Sequence, residues 1–295
     1  MIILDGKIVS QTVKESLKEQ LMPFMNKRIR APHLAAILVG TNGASETYIA
    51  GKVKSCTETG FQSTLIRFDE TVSEQVLLQK IEELNLNNTV DGILVQLPLP
   101  KQIDERKIIE SISADKDVDG FHPLNAGKLM QGSPAFIPAT PYGILLMLEY
   151  YNIDTKGKHA VIIGRSNIVG RPLSILLSSN QKYGNCTVTL CHSHTLNMEQ
   201  LCLKADILIA ALGKPGFVTA GMVKEGAIVI DVGITRVDDH AAKKGYRIMG
   251  DVDFKEVSLK AAAITPVPGG VGLMTIAGLL KNTMHAYLKK VGSRQ

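Results

Sequence analysis

Tyr48 and Lys52 stand four residues apart in ETYIAGK, one helical turn, so both can project from the same face of a helix. A phenol and an ammonium so placed are suited to moving protons. Gln96 interrupts an otherwise apolar strand, ILVQLPLP, at its C-terminal end, which is where parallel sheets carry their ligand sites. Asp115, Lys116, Asp117 and Asp119 crowd a short stretch closed by Gly120. Each feature also has a plain structural reading. Tyr48 and Lys52 can be a solvated helix face, and Gln96 can satisfy a backbone group. DKDVDG can be a turn whose acid spacing resembles a calcium loop without the rest of an EF-hand. Their occurrence together, ahead of the nucleotide motif that follows, favours chemistry.

That motif is VIIGRSNIVGRP, residues 161–172. A buried strand runs into Gly164, and a helix is expected to start near Val169 or Gly170. Such a turn brings backbone N–H groups and a helix N-terminus against a pyrophosphate. The spacing is G-x5-G rather than G-x-G-x-x-G, so the strand–turn–helix context carries the reading. The following strand, CTVTLCHSHT, ends without a carboxylate, whereas Arg165 lies in the turn and Ser193 just past the strand. A cation and hydroxyls suit a 2′-phosphate, which a carboxylate would repel, so these residues favour NADP over NAD. A glycine turn that merely packs a helix on a strand is the alternative. In short-chain dehydrogenases a Tyr-x-x-x-Lys pair lies downstream of the glycine turn. Here Lys52 precedes Gly164 by 164 − 52 = 112 residues, which disfavours that family. Cys191, His192 and His194 invite a metal, but no second ligand pair at zinc-like spacing accompanies them, and no metal is expected.

The elements that must position these residues alternate between helix and strand, the mark of an α/β protein with a mainly parallel sheet. Val9, Val13, Leu17 and Leu21 mark one face of a first helix. HLAAILVG, STLIRF and DGILVQLPLP read as strands. Residues 43 to 59 read as a helix ended by Gly60, and VSEQVLLQKIEELN as one capped by Ser73. A short helix is expected near DERKIIESI. The Gly-, Pro- and Asp-rich run from Asp115 to Pro141 has no period and reads as the domain junction, followed by a helix from about 141 to 151. KHAVIIG, CTVTLCH, DILIAAL and AIVIDVG read as strands of a second unit, with helices at VGRPLSILLSS and MEQLCLKA. MTIAGLLKNTMHAYLKK is a last helix. The expected organisation has two domains with a cleft between them: a three-layer α/β substrate domain over 1–120 and a Rossmann-like dinucleotide domain over 138–270. The helix at about 272–293 is expected to pack back on the first.

At 295 residues the chain is long enough for two domains and a sizeable core. With 45% hydrophobic and 21% charged residues it reads as soluble and globular. The net charge of +5 is mild and its cations are scattered, which argues against nucleic acid while suiting an anionic small molecule. No apolar run reaches membrane length, so no membrane partner is expected. The start MIILDGKIVSQ has no charged leader followed by an apolar segment. Cys56, Cys186, Cys191 and Cys202 form no C-x-x-C pair, fitting reduced thiols in a cytoplasm.

Assembled, these pieces resemble the bifunctional methylenetetrahydrofolate dehydrogenase/methenyltetrahydrofolate cyclohydrolase family. The matching stretches are ASETYIAGKVKSC, DGILVQLPLP, DKDVDGFHPLNAGKL, PATPYGI, GRSNIVGRPLS, DVGI, GDVDF and TPVPGGVGLMT, in the family's order over nearly the full length. Ala114, Ala139 and Leu273 depart from residues common in relatives; Leu273 bears on the loop expected to line the substrate. The resemblance implies NADP-dependent oxidation of 5,10-methylenetetrahydrofolate, then hydrolysis of the methenyl product to 10-formyltetrahydrofolate, in one-carbon metabolism. It implies Lys52 as the catalytic lysine, Gln96 as its hydrogen-bond partner, Tyr48 stacked on the folate and Asp119 gripping the pterin. Backbone at Val95, Gln96 and Leu97 and at Pro268, Gly269, Gly270, Val271 and Gly272 would line the folate. Gly164, Arg165, Ser166, Ser193 and Ile234 would hold NADP. A cytoplasmic homodimer is implied as well. A monofunctional dehydrogenase and a non-catalytic folate- or nucleotide-binding protein are the alternatives.

Overall fold

Parallel strands need crossover connections of a dozen or more residues, and helices supply most of them here. The structure, a computed structural model, describes residues 1–239, 242 and 245–292, apart from the side chain of Ala44. The chain opens with β1 (Ile2–Ile3) and α1 (Gly6–Asn26). β2 (His33–Val39) is buried at every position, as a strand covered on both faces must be. α2 (Gly43–Thr59) stops at Gly60, whose φ of +79° closes the helix. After β3 (Gln62–Phe68), α3 (Glu74–Leu86) is capped by Ser73, whose Oγ accepts from the Val76 N–H at 3.4 Å. β4 (Gly92–Val95), α4 (Glu105–Ser111) and α5 (Pro123–Met130) follow. The chain continues through α6 (Ala139–Tyr150), β5 (His159–Ile163), α7 (Gly170–Ser178), β6 (Thr187–Cys191), α8 (Met198–Cys202) and β7 (Ile207–Ala210). It ends with β8 (Ile228–Asp231), β9 (Thr235–Asp238), β10 (Tyr246–Met249), α9 (Phe254–Val257), β11 (Ala263–Ile264) and α10 (Val271–Gly292).

Two compact units emerge, one of Met1–Ser10 with Thr140–Thr275, the other of Gln11–Ala139 with Ile276–Gln295. In the second, the parallel sheet runs β3-β2-β4. Alternation along β2 makes three layers. Leu34, Ala36 and Leu38 pack with Leu17 and Leu21 of α1, Ile49 and Cys56 of α2, and Leu279, Met284 and Tyr287 of α10. Ala35, Ile37 and Val39 face Leu77, Ile81 and Leu84 of α3 and Ile108 of α4. Full burial of each such Leu or Ile contributes about 1.5–3 kcal/mol. Polar contacts fix α10 in place: Asn282 Nδ2 donates to the Val118 and Ile137 carbonyls at 2.8 Å each, and Lys290 Nζ to the Val90 carbonyl at 2.6 Å.

The other unit is built on a six-stranded, all-parallel sheet, β1-β11-β8-β7-β5-β6. Val161, Ile163, Cys191, Leu208, Ala210, Val229 and Ile264 form one apolar face with Cys202, Val223 and Val257. Leu173, Leu176 and Leu177 of α7 are buried where that helix packs on β5 and β6.

Several elements differ from the sequence reading. The run from Asp115 to Pro141 is not aperiodic throughout: α5 starts at Pro123, where His122 Nδ1 accepts from the Leu124 N–H at 3.0 Å. Its Leu124 and Met130 are exposed, so no apolar stripe announces it. The strand in DGILVQLPLP ends at Val95, and Gln96 stands one residue beyond it, although its N–H still bonds the Ile37 carbonyl at 2.9 Å. The last helix begins at Val271, three residues before Met274, and takes Val271 and Gly272 out of the preceding loop. The two-residue strands β1 and β11 and the antiparallel pair β9–β10 are too short or too polar to show a period.

Candidate functional site

Ser45, Ile49, Lys52, Cys56 and Thr59 recur at three- and four-residue steps along α2, and all five are buried. Lys52 therefore lies on the helix's inward stripe, only 6% exposed, rather than on a solvated face. Tyr48, one turn earlier, is half-buried at the stripe's edge. Lys52 Nζ donates to Gln96 Oε1 at 3.1 Å, while Gln96 Nε2 donates to the Leu97 carbonyl at 2.8 Å. That second bond orients the amide so that its oxygen faces the lysine. Burial pushes the Lys52 ammonium below its ordinary value, against the pull of the Asp119 carboxylate. Burial raises Asp119 in turn, with Lys52 opposing the rise. The Tyr48 phenol is raised by burial. Gln96 and Asp119 lie 44 and 67 residues from Lys52 in sequence (96 − 52 and 119 − 52); the fold brings Lys52 against Gln96 and into the field of Asp119.

The acidic stretch divides into distinct tasks. Asp115 is exposed, and Lys116 is buried with Nζ donating to the carbonyls of Leu84, Asn85 and Asn87 at 2.7 Å each. Asp117 accepts from the N–H groups of Phe121 at 3.1 Å and His122 at 2.8 Å, and from Asn125 Nδ2 at 2.9 Å. Burial nevertheless pushes its carboxyl up to about 6. Asp117 thus shapes the turn that carries Asp119. Gly120 completes it with φ +74°, where a Cβ would come within 2.7 Å of the Pro138 nitrogen. Val95 ends β4, and Leu97 precedes a cis bond to Pro98.

In the nucleotide unit, Gly164 follows β5 with φ +122°, and a Cβ there would lie 2.1 Å from the Ala211 carbonyl oxygen. A Cβ on Gly170, the first residue of α7, would lie 1.9 Å from the Gly164 carbonyl oxygen. The turn is a bare-backbone cradle of the kind that admits a pyrophosphate. Arg165 and Ser166 are exposed on it, and Ser166 Oγ accepts from the Val169 N–H at 3.2 Å. Ser193 is exposed in the turn after β6, and Ile234 is 39% exposed between β8 and β9. With a cation and two hydroxyls among them, and no Asp or Glu in CTVTLCHSHT, these residues fit a dinucleotide bearing a 2′-phosphate. Pro268 follows a cis bond, Gly269 has φ +111°, and the Gly6 N–H donates to the Gly269 carbonyl at 2.9 Å. A Cβ on Gly270 would come within 2.6 Å of the Pro266 carbonyl oxygen. Val271 and Gly272 form the first turn of α10.

Two buried aspartates in this unit carry structure that sequence reading missed. Asp231 Oδ1 accepts from the N–H groups of Gly233 and Asp251, and Oδ2 from that of Val252, all at 2.9 Å. Asp251 Oδ2 accepts from the N–H groups of Leu212 at 2.8 Å and Gly213 at 2.9 Å. Burial, helped by the neighbouring Asp251, pushes Asp231 up to about 6 despite its three donors. Together they pin the loops leaving β7 and β8. DVGI and GDVDF hold both residues, but apart from Gly233 their partners lie 20 to 39 positions away, and no local spacing signals them.

Fold and residues together define a two-unit α/β enzyme of the dinucleotide-binding kind. The sequence model of the tetrahydrofolate dehydrogenase/cyclohydrolase catalytic domain matches residues 4–119, and that of the same family's NAD(P)-binding domain matches residues 138–291. The chain belongs to the tetrahydrofolate dehydrogenase/cyclohydrolase family. It is 56% identical over 286 residues to the bifunctional protein FolD of Cytophaga hutchinsonii, covering 97% of this chain and 99% of that one. Its fold matches the bifunctional FolD methylenetetrahydrofolate dehydrogenase/cyclohydrolase of Campylobacter jejuni at TM-score 0.91 and 47% identity, over 100% of both chains. It also matches the Trypanosoma brucei N5,N10-methylenetetrahydrofolate dehydrogenase-cyclohydrolase, solved with NADP and an inhibitor, at TM-score 0.93 and 34% identity over 99% and 98% of the two chains.

Proposed function

We infer that this protein oxidises 5,10-methylenetetrahydrofolate to 5,10-methenyltetrahydrofolate with NADP, and then hydrolyses that product to 10-formyltetrahydrofolate. The observation that carries the reading is Lys52, a lysine buried on an inward helix stripe, held by Gln96 Oε1 and facing the field of Asp119. Departure of the hydride is driven by the folate nitrogen's lone pair, so the first step calls on positioning rather than on an acid or base. Bound NADP supplies the hydride acceptor. Gly164, Arg165, Ser166, Ser193 and Ile234 hold it; Val95–Leu97 and Pro268–Gly272 supply backbone to the folate, Tyr48 stacks on it, and Asp119 takes the pterin's N–H groups.

Lys52 serves the second step. As a neutral amine it removes a proton from water while the water oxygen bonds to the methenyl carbon. As an ammonium it returns that proton to N5 when the carbon–N5 bond breaks; the remaining hydroxyl proton leaves as the formyl carbonyl forms. Burial lowers the ammonium's hold on its proton, which eases its passage between the two forms. Gln96 keeps the amine aimed.

Among the described residues no helix is long and apolar enough to cross a membrane. A cytoplasmic homodimer completes the proposal on family kinship, checked by light scattering on the purified chain. The deciding test of the activity is a spectrophotometric assay of methylenetetrahydrofolate with NADP or NAD, followed by methenyl hydrolysis in the same cuvette. Absence of reduced NADP sinks the dehydrogenase assignment, and a methenyl product that decays no faster than in buffer sinks the cyclohydrolase.

A further inference from the structure

β6 ends at Cys191 and runs into a turn holding His192, Ser193 and His194; of these four residues the proposed reaction uses Ser193 alone. Cys191 is fully buried in the apolar face with Val161, Ile163, Cys202 and Leu208, and among the described residues no group of three or more His, Cys, Asp or Glu could hold a metal. The two imidazoles instead stand together past the strand. Their ring centroids lie 6.1 Å apart, and the His194 N–H donates to His192 Nδ1 at 3.2 Å. The turn is tied down by a reciprocal pair: the His192 N–H donates to Thr195 Oγ1 and the Thr195 N–H to the His192 carbonyl, both at 2.8 Å. β5 and β6 pair in parallel with Ile163 opposite Cys191, and the Gly164 N–H donates to the Cys191 carbonyl at 2.9 Å. Arg165 therefore leaves its strand beside the histidine turn.

Resting on the NADP reading, we propose that His192 and His194 join Arg165 in a proton-linked subsite for the 2′-phosphate of NADP, so that preference for NADP over NAD grows as pH falls. Burial holds His192 below its ordinary value, as do the charges of Arg165 from the turn after β5 and of His194 on its own turn. A phosphate dianion reverses that balance, because an opposite charge favours the imidazolium. Protonation of His192 Nδ1 also releases the His194 N–H, adding a backbone donor for the anion. The complex thus binds more protons than the free protein, and affinity for NADP rises as pH falls through the raised histidine value. NAD lacks the phosphate and escapes the linkage. The phosphate's own second ionisation, near pH ~6, sets the lower end of the window.

Calorimetric binding of NADP and of NAD to the full chain at pH 8, 7 and 6 tests this. The ratio of the two affinities should grow at least about fivefold from pH 8 to pH 6, with proton uptake on NADP binding alone, read from heats in two buffers of different ionisation enthalpy. His192→Asn, which keeps an acceptor for the His194 N–H, combined with His194→Gln should flatten the ratio. A ratio that rises equally in the double variant overturns the proposal, as does native binding of NADP without proton uptake, a measurement that needs no variant. A preference for NADP that ignores pH overturns this inference alone; no preference at any pH overturns the cofactor reading with it.

Discussion

Replacing Lys52 by methionine separates the two reactions. The side chain is 6% exposed and its ammonium is met by one amide oxygen at 3.1 Å. A methionine of similar length fills the same slot with no charge to desolvate, so stability should change by less than about 1 kcal/mol. Asp119 loses the cation that restrains it, and its carboxyl rises further. Loss of a positioned acid–base group costs about 10²–10⁴-fold, or about 3–5 kcal/mol of barrier. Hydrolysis of methenyltetrahydrofolate should therefore fall by that factor while NADP-dependent oxidation persists. The assay follows methenyl absorbance, corrected for uncatalysed hydrolysis, on protein whose denaturant midpoint matches the native one. A folded variant that hydrolyses within about threefold of the native rate refutes the role given to Lys52. Equal loss of both activities would place the lysine in hydride transfer instead.

Arg165→Ala should weaken NADP by about 10–100-fold, the worth of a charge-assisted contact, and NAD far less; equal losses in a binding titration contradict the 2′-phosphate assignment. Gly164→Ala must adopt φ near +122° and push its Cβ away from the Ala211 carbonyl. It should cost at least about 2 kcal/mol of stability by urea unfolding, and a variant indistinguishable from native would show that the turn is slack. The lowered Lys52 value predicts that hydrolysis rises with pH through an inflection below the ordinary lysine range. Gln96→Leu removes an acceptor that stabilises the ammonium, so the inflection should move lower still; a shift upward in the pH–rate profile reverses the argument.

Local features were legible where one element carries them. The Gly164–Gly170 turn sits between a strand and a helix in sequence as in space, and the Tyr48–Lys52 spacing is one helical turn. What sequence could not separate was a solvated lysine from a buried one, because only the sheet and α10 decide which face of α2 is inward. Asp115, Lys116, Asp117 and Asp119 look alike in a row, yet the fold makes one exposed, one a cap for three carbonyls, one a brace and one a partner in the field of Lys52. β1 and β11 are two residues each, and they exist as strands because β8 offers an edge. Asp231 and Asp251 act through N–H groups up to 39 positions away, beyond the reach of any period.

The glycine turn also has an evolutionary side. Its steric demands fall on Gly164 and Gly170, where added side chains would strike backbone, and the intervening Arg165 and Ser166 point outward and bear none of them. In the usual G-x-G-x-x-G arrangement the second glycine occupies the place of Ser166. Moving the packing constraint out to position 170 leaves two adjacent residues at the lip of the cradle open to substitution. Cofactor choice could then be rewritten there without redesigning the turn proposed to seat the pyrophosphate.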